Sequence, residues 1–238
     1  MPTKTNPDAH AWRAWLQAQS QKNPDPMLRD YYRRSIFDPD STIADTPLVA
    51  LDLETSGLDP RRDLILSIGL VPFDLNQIHF AARQQWLLRP PRNYANESVA
   101  YHHITHTEAS KAPRFESIVA DLLDAIAGRL VVVHYHPIER GFLERAILGI
   151  SDAQLRFPLI DTMALEARRH RRGWRKRIRA LMGQTPVSIR LHDSRARYGL
   201  PNYEGHRAVL DALAGAELFQ AQIQHHYTRS TPIGDLWL

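Results

Sequence analysis

The sequence predicts an α/β domain, and three observations carry that prediction. The runs "PLVALDLE" (47–54), "LILSIGLVPFD" (64–74) and "ARQQWLLRP" (82–90) are strand-like and joined by short connections, the pattern of an antiparallel meander. "RLVVVHY" (129–135) is a continuous apolar run, as expected of a strand covered on both faces, and "PIERGFLERAILG" (137–149) follows as a helix with proline in its first turn. The final segment, "HRAVLDALAGAELFQAQIQHH" (206–226), reads as one long helix.

The remaining elements fill in that order. "RFESIVADLLDAIAG" (114–128) has helical periodicity and stops on a glycine. "LRFPLIDTMALEARRH" (155–170) is a short strand feeding a basic helix, and "SIRLHDSRARYGLP" (188–201) is a further helix. Residues 1–46 read as a mainly helical extension: Trp12, Trp15 and Leu16 share helical spacing, and prolines divide the following stretch into turn, short helix and linker. The two tryptophans are expected to form a stripe that docks on the main domain. That domain is placed at 47–228, with 229–238 as a short tail. No internal repeat is visible.

Composition narrows the chemistry. A chain of 238 residues with a 43% apolar share can build a proper core, and no apolar run is long enough to span a bilayer. The first residues have no signal-peptide core, which leads to the expectation of a cytoplasmic protein. With no cysteine, any metal must be held by oxygen or imidazole. The net charge of +4 is compatible with a polyanionic partner, and "RRHRRGWRKRIR" (168–179) concentrates much of the positive charge around Trp174.

The acids are the sharper signal. Asp52 and Glu54 are two residues apart on a strand, so both leave the same face. Two carboxylates at the end of an apolar central strand repel each other and are costly to desolvate unless a cation lies between them, although a solvated pair is the alternative. Glu139 stands where a helix begins after the buried strand. His206 precedes Asp211 by five residues, about 500° of helix, so the two converge only if His206 lies before the helix and Asp211 in its early turns. Taken alone, that last pair also fits a loop residue and a surface acid.

Together, "LDLETSGLDP", "VAYHHIT", "VVVHYHPIERGFL", "LIDTMALEARR" and "GHRAVLDALAGAELFQAQ" resemble the DEDDh class of DnaQ-like 3'→5' exonucleases, the family of DNA polymerase III epsilon subunits. The resemblance runs from about Pro47 to His225 and leaves out residues 1–46. It implies a ribonuclease H-like fold, a mixed five-stranded sheet flanked by helices. It also implies two Mg²⁺ or Mn²⁺ ions held by Asp52, Glu54, Glu139 and Asp211, with His206 as general base. Thr55, Leu58, His102 and Ile104 match positions around the 3'-terminal nucleotide. The implied reaction releases nucleoside 5'-monophosphates from the 3' end of DNA, single-stranded by preference, with RNA as the alternative substrate. A polymerase or another protein could dock on residues 1–46, and no membrane is implied. Two departures stand out. Where the family has His-Asn and then Asp, this chain has His134, Tyr135 and Glu139, and His103 replaces the usual glycine in "YHHIT". Glu139 keeps the charge and oxygen donors, and a nucleic-acid-binding module weakened at that position is the competing reading.

Overall fold

The computed structural model describes residues 9–90, 110–171, 185–203 and 207–238. Alternation along the first strand decides how its layers form. In β1 (Leu48–Thr55), Val49, Leu51 and Leu53 enter one hydrophobic core while Leu48 and Ala50 enter another. A period of two then puts Asp52 and Glu54 on the face of Leu48 and Ala50.

β2 (Ile65–Phe73) and β3 (Gln84–Leu87) complete the antiparallel meander. β4 (Leu130–Val133) pairs in parallel with β1, and β5 (Leu159–Asp161) in parallel with β4. The sheet is mixed, in the order β3-β2-β1-β4-β5, as the fold class requires. Because β4 is buried on both sides, all four of its residues are apolar. The carboxyl ends of β1, β4 and β5 open on one edge, where ligands sit in open α/β sheets.

Seven α-helices flank the sheet among the described residues. One layer combines α1 (Ala9–Lys22) and α2 (Pro26–Arg34) with α3 (Phe115–Ile126) and α4 (Pro137–Leu148). The other combines α5 (Thr162–His170), the short α6 (Leu191–Arg197) and the long α7 (Ala208–His226). No described helix is long and apolar enough to cross a membrane.

The first described helices and the last residues both belong to this packing. Trp15 meets Tyr32 edge-on at 5.2 Å, and Leu16, Leu28 and Tyr32 are fully buried. Ile233, Leu236 and Trp237 are also fully buried, so the last part of the short tail packs into a core. Arg140 links α1 to the last residue: its guanidinium donates to the carbonyls of Phe157 and Leu238 and lies over the Trp12 ring.

Candidate active site

Each acid arrives on a different support. β1 delivers Asp52 and Glu54, and its ladder with β2 is interrupted by a register shift at Glu54/Thr55. The turn that follows is tied down from within. Thr55 Oγ1 donates to the Gly57 carbonyl at 2.6 Å, and the Asp63 carboxylate accepts the Asp59 N–H at 2.9 Å and the Ser56 hydroxyl at 3.3 Å. A Cβ on Gly57 would lie 2.4 Å from Asp63 Oδ2, so a larger residue would have to displace the carboxylate that ties the turn. The result projects Leu58 into solvent, 79% exposed, which removes core packing as its role.

Asp211 sits in the first turn of α7, its N–H bonded to the Arg207 carbonyl at 3.0 Å. That turn reaches the sheet because β2 has Gly69 there. Carboxylate oxygens of Asp52, Glu54 and Asp211 can lie within 4.8 Å of one another. Glu139 comes from the first turn of α4, is 2% exposed, and its Oε2 is buried without a hydrogen-bond partner.

The electrostatics of this cluster are adverse to a bare protein. Burial, and then the charges of Glu139, Asp211 and Glu54, push the Asp52 carboxyl well above the ordinary carboxylate range. Burial, reinforced by the charge of Asp161, does the same to Glu139. Neither Asp52 nor Glu139 forms an ion pair with a described residue. Two helix N-termini supply some compensation, which falls short of a full positive charge. A set of hard oxygen donors, half-buried at Asp52, Glu54 and Asp211 and buried at Glu139 with an unpaired carboxylate oxygen, fits Mg²⁺ or Mn²⁺.

Beside the acids lies a cavity of about 480 Å³, lined in part by Asp52, Asp211, His134, His192, Arg195 and Tyr203. His134 Nδ1 lies 2.8 Å from Thr162 Oγ1, which itself donates to the Val133 carbonyl at 3.0 Å. Burial lowers the His134 pKa to about 4, so the imidazole is neutral at physiological pH. Arg195 donates to the carbonyls of Ala214 and Pro201 and to Glu217, whose other oxygen accepts the Tyr203 hydroxyl. This buried arginine therefore fixes residues 201–203, which lead toward His206.

Sequence reasoning missed the residue that organises the β4–α4 junction. The Asp161 carboxylate accepts the N–H groups of Met163 and Ala164, capping α5, and also those of Tyr135 and His136 and the His136 imidazole at 2.7 Å. Burial alone would raise its pKa, but the His136 side chain and these N–H groups outweigh burial and lower it. An aspartate between an apolar run and a helix signals an N-cap, which was the available clue. Nothing in the sequence pairs it with residues 135 and 136.

Of the residues the sequence singled out, Asp52, Glu54, Asp211 and Glu139 stand together, with Thr55 and Leu58 on the adjoining turn. His206, His102, Ile104 and Trp174 lie outside the described residues. The basic run is described only as far as Arg171, and Arg168 in it turns inward to the Asp235 carbonyl at 2.8 Å.

Comparison with known proteins agrees with this geometry. A family profile described as RNase_T, exonuclease, matches residues 49–219. The chain is 30% identical to the DNA polymerase III subunit epsilon of Treponema pallidum (strain Nichols) over 177 residues, 74% of this chain and 76% of that protein. It is 27% identical over 205 residues to the PolC-type DNA polymerase III of Thermotoga maritima, covering 86% of this chain but only 13% of the polymerase. In fold it resembles the nuclease domain of 3'hExo, a DEDDh family member solved with rAMP bound, with a TM-score of 0.58, 12% identity, and coverage of 76% of this chain and 92% of that one. Four acids from three separate segments, on a mixed sheet matched along most of its length, place the chain in the DnaQ-like 3'→5' exonuclease family.

Proposed function

We propose that this protein is a metal-dependent 3'→5' exodeoxyribonuclease that releases nucleoside 5'-monophosphates from single-stranded 3' ends of DNA. The observation that carries the reading is the meeting of Asp52, Glu54 and Asp211 within 4.8 Å, with buried Glu139 acting on Asp52. These four side chains would hold two Mg²⁺ or Mn²⁺ ions, which when bound neutralise the phosphate and stabilise the charge that develops during cleavage.

The chain's own residues do the rest. His206 takes the proton from the attacking water, a task suited to imidazole, whose unperturbed pKa is about 6.5. Thr55 and Leu58, with His102 and Ile104, hold the 3'-terminal nucleotide. An exposed leucine on a rigid turn suits a wedge against the last base. Neutral His134 keeps a second positive charge out of the cavity and offers a polar wall.

The direct test is incubation of the purified protein with a 5'-labelled single strand, with Mg²⁺, with Mn²⁺ or with EDTA. A metal-dependent ladder from the 3' end is expected. Binding without degradation in either metal would instead support a non-catalytic nucleic-acid module. Parallel single-stranded DNA, duplex DNA and RNA substrates decide the preference. A proofreading role beside a DNA polymerase is the second reading, favoured by the names of the two relatives. It predicts that the protein co-elutes with a polymerase catalytic subunit on gel filtration.

A further inference from the structure

Tyr135 is the one non-glycine residue with positive φ, 90°, among the described residues. That region crowds Cβ against the main chain; glycine and asparagine tolerate it, whereas a bulky aromatic does so at a cost. The backbone itself has a reason to be there, since the N–H groups of Tyr135 and His136 both reach Asp161, at 3.1 and 3.0 Å. Those bonds are made by the main chain and would serve an asparagine equally well. They explain a left-handed residue at this point but not a tyrosine.

Packing does not explain it either. The side chain is 45% exposed, its hydroxyl makes no hydrogen bond, and its ring pairs with no aromatic ring among the described residues. Its location points elsewhere. Tyr135 follows His134, which lines the cavity beside Asp52 and Asp211, and precedes the helix turn that carries Glu139. In the sheet, β1 lies between β2 and β4. The turn bearing Thr55 and Leu58 joins β1 to β2, whereas Tyr135 ends β4 on the other side. If the exonuclease reading seats the terminal nucleotide at that turn and the scissile phosphate over the β1 acids, the line from turn to acids continues across the end of β4.

We propose that Tyr135 is a stacking platform for the base on the 5' side of the nucleotide being removed, and that this contact is why strain is kept at the junction. The inference rests on the exonuclease reading above. Stacking on an aromatic ring is indifferent to base identity, which suits an enzyme that must step along any sequence. Unfavourable backbone conformations persist where the side chain they present is used.

The test compares Tyr135→Asn and Tyr135→Phe in the full chain. The asparagine variant relieves the strain, so its Tm is expected to rise by about 2–5 °C. Its affinity for a single-stranded oligonucleotide, measured by fluorescence anisotropy in EDTA, is expected to fall roughly tenfold. Its kcat/KM should fall about tenfold more on the oligonucleotide than on the p-nitrophenyl ester of thymidine 5'-monophosphate, which offers a single base. The phenylalanine variant should bind like the wild type. Unchanged binding by Tyr135→Asn, equal losses on both substrates, or a phenylalanine variant as weak as the asparagine one would overturn the proposal. So would a fall in Tm of Tyr135→Asn, which would show the ring to be part of the packing. If the wild-type protein hydrolyses neither substrate, the exonuclease reading fails, while the anisotropy series still judges the stacking contact.

Discussion

Gly69 lies directly opposite Asp52 across the β1–β2 ladder, and α7 packs onto that glycine so closely that a Cβ there would stand 2.2 Å from the main-chain carbon of Ala208. Val209 N and Ala208 O would be within 2.3 and 2.4 Å of the same atom. All three contacts are backbone, which cannot rotate aside. The absent side chain is what allows the first turn of α7, and with it Asp211, to reach the level of Asp52.

Gly69→Ala is therefore expected to lower kcat/KM by about 100-fold if Asp211 acts as proposed, because a helix shift on the order of 1 Å misplaces its carboxylate. Steady-state kinetics on a labelled oligonucleotide provides the check, with the Mn²⁺-induced rise in Tm as a second readout. Wild-type kinetics would mean that α7 can yield at Ala208 without carrying Asp211 away.

Asp52→Asn should trade function for stability. The folded-state pKa of Asp52 is raised, so in metal-free protein the ionised group opposes folding, and stability is lost as pH rises through that raised value. At pH 8 without metal, the asparagine variant is expected to melt about 2–8 °C higher than the wild type. Its hydrolysis should fall by at least about 10²–10³-fold, and most of the metal-induced rise in Tm should vanish. Thermal melts with and without Mn²⁺ test all of this. An asparagine variant less stable than wild type in EDTA contradicts the electrostatic account.

Glu139 has an unpaired, buried Oε2 and no described ion-pair partner. Glu139→Gln removes the charge while keeping the shape, and cleavage should drop by at least about 100-fold. Glu139→Asp keeps the charge and is expected to preserve or raise the rate. An inactive aspartate variant would show that the longer side chain sets its own geometry at this site.

Asp161 is a buried carboxylate whose pKa is lowered by its hydrogen-bond donors. Its stabilising contribution is present above the unfolded pKa and is lost as pH falls through the lower folded value. Asp161→Asn should destabilise the protein at pH 7 by about 2–4 kcal/mol, combining a lost helix cap with lost charge-assisted bonds to residues 135 and 136. Urea titrations across pH 2–7 should show a shallower acid-side decline for the variant, about one carboxylate's share. Parallel curves would mean that Asp161 does not carry this linkage.

Leu58 is so exposed that Leu58→Ala should leave folding stability within about 0.5 kcal/mol of wild type. Loss of a wedge against the terminal base should nonetheless raise KM for the oligonucleotide severalfold. A large drop in Tm with unaltered KM would reverse the assignment.

Much of this was legible in the chain itself, because it depends on local periodicity. A period of two placed Asp52 and Glu54 on one face, an apolar run marked β4 as buried, and Pro137 announced the helix start at which Glu139 sits. The absence of cysteine limited any metal to oxygen and imidazole donors. These properties follow from backbone geometry and residue type, which neighbours along the chain share.

What only the tertiary structure decided are relationships between residues far apart along the chain. Gly69 reads as an ordinary strand glycine until α7 is seen resting on it. Asp161 reads as a helix cap until its carboxylate is seen also holding Tyr135 through the capping oxygen and His136 through the other. The last residues look like a tail, yet Trp237 is buried in a core. Close approach and shared hydrogen bonds depend on how layers pack, and packing arises from the sum of many weak contacts across the fold.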